Sequence, residues 1–96
     1  MCARLAVLTV GPGMWSTMEK IADEMAAHYR ALKGFQSVTF LGNNDSNQYG
    51  TVSLWETKED AEAVDAALGP ALREKAGEIL KGSPEVRYFE VYEPKG

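Results

Sequence analysis

Histidine occurs once in this chain, at His28, and cysteine once, at Cys2. An imidazole titrates near neutrality, so His28 is the residue type best suited to proton abstraction at physiological pH. It stands beside Tyr29 at the border of a helical apolar stripe. It reads either as a partly exposed boundary residue or as a base or hydrogen-bond donor at a pocket mouth. Asp65, near the edge of a second stripe with Ala61 and Leu68, is either a surface carboxylate or a base whose pKa burial raises. Trp55 ends a strand on which Thr51 and Ser53 share its side, and Thr39 of the neighbouring strand is read onto the same face. Hydroxyls on a buried face are costly unless bonded. A cavity holding water or ligand would satisfy them, and so would backbone bonds or a damp subunit interface. In the first case Trp55 and Tyr29 are walls for a flat aromatic ligand; in the others the tryptophan is core or dimer packing.

The same residue counts and spacings exclude other chemistries. A single histidine and a single cysteine cannot build a Cys/His cluster or an all-histidine centre, and no helix-spaced Glu-x-x-His signature occurs. No metal is expected. Gly11-Pro12-Gly13 lacks the spacing of a phosphate-binding loop and reads as a turn. Met14, Met18 and Met25 fall on one helix face, as adaptable core or as a pliable pocket lining. With one cysteine, no intramolecular disulfide can form.

The elements that must hold these residues follow from periodicity. Arg4 to Val10 is apolar on both parities, which predicts a strand covered on both faces. Met14, Met18, Ile21, Ala22, Met25, Tyr29 and Leu32 recur at helical steps, with either a Ser16–Glu19 capping box or a start two residues earlier, and Gly34 as the stop. Gln36 to Gly42 and Tyr49 to Glu56 read as a hairpin with a long tip, GNNDSNQ, pairing Phe40 with Val52 and Val38 with Leu54. That register gathers Ser37, Thr39, Leu41, Thr51, Ser53 and Trp55 on the opposite face. Thr57 caps a second helix whose stripe runs from Ala61 to Leu80, kinked or split at Gly69-Pro70. Val86 to Glu93 is the last strand. The order β-α-β-β-α-β is the ferredoxin-like, α+β arrangement in one domain, with both helices on one face of a four-stranded antiparallel sheet. The uncovered face is apolar enough to call for a second copy, so a homodimer through the sheet face is expected.

Composition agrees. The 96 residues are 45% hydrophobic and 25% charged, with a net charge of −4, which is the balance of a globular chain. No cationic cluster is present to neutralise phosphates, so no nucleic acid is expected as partner. No apolar run approaches the length of a membrane span, no targeting segment precedes the folded pattern, and a cytoplasmic location is expected.

The strand ending VLTVGPG (7–13), the helix closing ALKGF (31–35) and the junction VSLWETKEDAEA (52–63) together resemble the antibiotic-biosynthesis monooxygenase (ABM-like) proteins. The resemblance runs from about Arg4 to Tyr92 and implies a dimeric α/β barrel of ferredoxin-like subunits. The superfamily includes cofactor-independent monooxygenases, haem-degrading enzymes and isomerases. In its polyketide-oxidising members, a tryptophan ending the third strand and an asparagine four residues earlier help bind substrate. Trp55 matches the first, whereas Thr51 stands at the second. The second-helix histidine of the haem-degrading members has no counterpart between Gly69 and Gly77. Many quinol-oxidising members carry a histidine in the same helix, and that too is missing. What the resemblance implies is a small homodimer oxidising an electron-rich aromatic, of quinol or anthrone type, with dioxygen and no cofactor. In that reading His28 or Asp65 is the base, Thr51 and Ser53 are hydrogen-bond partners, and Trp55 with Tyr29 form the walls. The alternative is a non-catalytic dimer that captures a small apolar ligand.

Overall fold

The computed structural model describes residues 1–94. Its elements are β1 (Cys2–Thr9), α1 (Trp15–Arg30), β2 (Phe35–Asn43), β3 (Gln48–Trp55), α2 (Lys58–Ala76) and β4 (Glu85–Glu90). The strands form one antiparallel sheet in the order β2-β3-β1-β4. Both helices pack on one face, so the expected ferredoxin-like, α+β architecture is the one observed. Met18, Ile21, Met25 and Tyr29 of α1 and Ala61, Val64 and Leu68 of α2 are the buried stripes that meet the sheet.

The strands alternate sides, and β1 shows why the site lies where it does. Cys2, Arg4, Ala6 and Leu8 face the helices, while Ala3, Leu5 and Val7 face the other way. The hairpin differs from its sequence reading by one residue. Phe40 pairs with Thr51, and Val38 with Ser53, not with Val52 and Leu54. A four-residue tip, with the Asn43 side chain accepting from Asp45 N at 2.9 Å and Ser46 N at 3.3 Å, sets this register, which holds from Asn43 to Ser37 and shifts only at Phe35. A one-residue slip turns every side chain of one strand over. Thr51, Ser53 and Trp55 therefore face the helices together with Val38 and Phe40. Thr39, with Ser37 and Leu41, lies on the open side beside Val52 and Leu54.

Two further local alternatives are decided. Helix α1 takes the earlier of its two expected starts, at Trp15 after Met14 with no side-chain cap, so Ser16 lies inside the first turn and does not open a capping box. Helix α2 is not split at Gly69-Pro70 but continues as one element from Lys58 to Ala76. Proline clashes partly with the β-carbon of the residue before it, and Gly69 has none, which eases passage through this position. Two other signals act as expected. Thr57 Oγ1 accepts from Asp60 N at 3.1 Å, and Gly34, at φ +80°, takes the left-handed conformation in the turn after α1.

The open face carries Leu5, Val7, Val52 and Leu54, all half-buried, with Leu41 and Phe89 about half exposed (49% and 51%). Among the described residues no helix is long and apolar enough to cross a membrane.

Candidate functional site

Between the helices and the sheet runs a cleft of about 810 Å³. Met18, Ile21 and Met25 of α1 and Val64, Leu68 and Leu72 of α2 form its walls, and Ala6, Leu8 and Phe40 lie along its floor. The cleft is open because Ala6 is small at mid-floor, where its opposite number on β3 is Thr51.

One end is polar, and its centre is a residue the sequence reading passed over. Arg4 projects from the helix-facing side of β1 and its side chain is only 7% exposed. Its Nη2 pairs with Asp65 Oδ1, and its Nη1 donates to the Tyr29 hydroxyl at 3.3 Å. The Tyr88 hydroxyl donates to Asp65 Oδ2 at 2.9 Å, so both carboxylate oxygens are engaged. Arg4 Nε has no acceptor among the described residues. A guanidinium carries five N–H groups, and here one bond leaves each terminal nitrogen, so donors remain unspent at the cleft floor.

The electrostatics keep these groups in their hydrogen-donating forms. Burial works against the Arg4 charge, but Tyr29 and Asp65 beside it outweigh that penalty and raise its pKa above the ordinary arginine value. Burial also pushes the Tyr29 hydroxyl above the usual tyrosine range, with Arg4 and Thr51 pulling the other way. Tyr88 is raised by burial and by its bond to Asp65. At neutral pH, therefore, a buried cation and two protonated phenols surround one carboxylate. Such a set can receive a developing oxyanion on Arg4 and Tyr29 while Asp65 accepts a proton.

The structure brings together Asp65, Tyr29 and Thr51 of the sequence-derived candidates, all of which line the cleft. It does not bring the others there. His28 is exposed on α1 outside the lining. Trp55 and Ser53 are wholly buried and bonded to each other, Nε1 donating to Oγ at 2.9 Å, which satisfies both polar groups without a cavity. The Trp55 ring packs against Phe35 and Tyr29, at centroid distances of 5.7 and 6.1 Å. Thr39 lies on the far side of the sheet for the register reason given above. The signal that could have found Arg4 is its parity: it is the one charged residue among the helix-facing positions Cys2, Arg4, Ala6 and Leu8. Among the described residues, no group of three or more His, Cys, Asp or Glu could hold a metal ion.

No family profile matches the sequence, and no curated protein aligns with it. Solved structures do. A protein of unknown function from Nitrosomonas europaea is 18% identical, with a TM-score of 0.81 over 98% of this chain and 91% of its own. A protein from Bordetella bronchiseptica, provisionally assigned as an antibiotic biosynthesis monooxygenase, is 19% identical, with a TM-score of 0.79 over 95% and 96%. SnoaB, a cofactor-independent oxygenase from Streptomyces nogalater, is 18% identical, with a TM-score of 0.76 over 97% and 94%. The chain thus shares the fold of antibiotic-biosynthesis monooxygenases across nearly its whole length.

Proposed function

We propose that the chain is an ABM-like cofactor-independent monooxygenase that takes an electron-rich aromatic, of quinol or anthrone type, into the cleft. The observation that carries this reading is the Arg4–Tyr29–Asp65 cluster, with its unspent N–H donors, set at the end of a trench walled mainly by apolar side chains. Asp65 is the base: its side chain is half exposed and each oxygen retains a second lone pair. Arg4 and Tyr29, with Thr51 adjacent, hold the oxyanion that deprotonation creates. The substrate carbanion then gives its electrons to dioxygen and takes up a proton to become a hydroperoxide. Its O–O bond breaks to leave one oxygen as the new carbonyl and release the other as water, while the apolar walls keep bulk water from the reacting carbon. His28, outside the cleft, takes no part.

The same reading makes the protein a homodimer through the open sheet face. Leu5, Val7, Val52, Leu54, Leu41 and Phe89 form a patch of a kind that monomers rarely leave in water. Sedimentation should give twice the 10.5 kDa chain mass, and Leu54→Arg should halve it.

Oxygen-electrode assays with anthrone test the activity. The wild type should exceed the spontaneous rate, and Arg4→Met should reduce the enzymatic rate by about 10²–10³, the loss expected for an oxyanion donor. His28→Ala should leave it unchanged. If anthrone binds yet oxygen uptake stays at the spontaneous rate, the cleft is a binding site without turnover. The engagement of both Asp65 oxygens is the feature that favours this second reading.

A further inference from the structure

The two ends of the cleft differ in kind. Four residues along β1 from Arg4, about 13 Å at the ordinary strand rise, Leu8 pairs with Tyr49, and Trp15 lies across the trench. Trp15 is 44% exposed, in contrast to the wholly buried Trp55, and is one of the residues lining the cleft. Its position is built into the neighbouring strands. Gly42 leaves the space the indole occupies: a β-carbon there would stand 2.6 Å from the ring's Cζ3 and 3.0 Å from the Tyr49 ring. Tyr49 holds the indole from the side, at 6.0 Å between centroids and a 49° tilt, and is itself fixed by donating to Asn44 Oδ1 at 3.0 Å.

We propose that Trp15 is an aromatic subsite that selects fused-ring ligands, those long enough to touch the indole while their oxygen sits at Arg4. Single-ring phenols reach only the polar end. The inference rests on the reading of the cleft as a ligand site and is independent of turnover.

Two stable phenols with conjugated carbonyls separate the cases: 2-hydroxyanthraquinone, whose rings span the trench, and 4-hydroxyacetophenone, whose single ring does not. Affinities are measured by titration calorimetry, with melting curves confirming that each variant is folded. Trp15→Ala should weaken 2-hydroxyanthraquinone on the order of tenfold, the scale of one lost aromatic contact, and leave 4-hydroxyacetophenone unaffected. Trp15→Phe should restore most of the loss. Gly42→Ala, which displaces the indole without removing it, should weaken the same ligand. Strong binding of the fused ring with none of the single ring is the limiting case of the same selectivity. Binding of 2-hydroxyanthraquinone that ignores Trp15→Ala, or equal losses for both phenols, overturns the subsite and leaves the cleft reading standing. Failure of the wild type to bind either phenol overturns both.

Discussion

The Arg4–Asp65 pair is lopsided, and the lopsidedness sets the outcome of mutating it. Arg4 is 7% exposed and Asp65 is 51% exposed. Asp65→Asn strands a buried guanidinium, whereas Arg4→Met strands a carboxylate that water already reaches. Breaking a fully buried pair costs about 3–5 kcal/mol. The half-exposed partner and the carbonyl that asparagine retains bring Asp65→Asn down to about 2–3 kcal/mol. For a domain of this size that lowers the melting temperature by roughly 10–20 °C. Arg4→Met removes the buried charge together with its desolvation penalty and fills similar space, so its cost is about 1 kcal/mol or less. The double variant Arg4→Met/Asp65→Asn should then be more stable than Asp65→Asn alone. The assay is thermal and urea unfolding at pH 7 and equal protein concentration, because self-association shifts both. An Arg4→Met variant less stable than Asp65→Asn, or a double variant that recovers nothing, would refute the assignment of Arg4 as the buried and dependent member.

Two other outcomes follow from the packing. Ser53→Ala leaves the fully buried Trp55 N–H without its acceptor and should cost about 1–3 kcal/mol, while anthrone oxidation per folded molecule stays unchanged; a urea midpoint paired with the oxygen assay checks both. Tyr29 holds its proton more tightly folded than unfolded. Its contribution to stability is thus complete below pH about 10 and is lost as pH rises through the higher folded value. Absorbance at 295 nm should show two tyrosines ionising late, Tyr29 and Tyr88, and Tyr29→Phe should remove one of the two and lessen the alkaline fall in stability.

The fold was readable because its signals are local: helical stripes, the Thr57 cap, the asparagine-rich tip and the Gly34 stop each act on a few neighbouring residues. The site was half readable. Asp65, Tyr29 and Thr51 could be picked by type and position. The hairpin register could not, because both Val38-Phe40 and Val52-Leu54 are apolar and either can face the core; the short tip decided it, and with it the fate of Thr39. Burial is likewise no property of a residue type. Trp55 and Trp15 are alike in sequence, yet the first is sealed by Ser53, Phe35 and Tyr29, and the second is held at the cleft by the space above Gly42. Arg4 was hidden by standing at the edge of the apolar run read as the first strand, where a cation looks like a flank.

The sharpest measurement is the absorption spectrum of 2-hydroxyanthraquinone bound to the wild-type protein, about one pH unit below the pKa of the free phenol, where a modest bias of ~1.4 kcal/mol decides the form. A cleft that gathers an oxyanion at Arg4 and Tyr29 should show the coloured phenolate, reverting to the neutral phenol in Arg4→Met. A bound ligand that keeps its neutral spectrum in the wild type would contradict the oxyanion site and the oxygenase reading built on it.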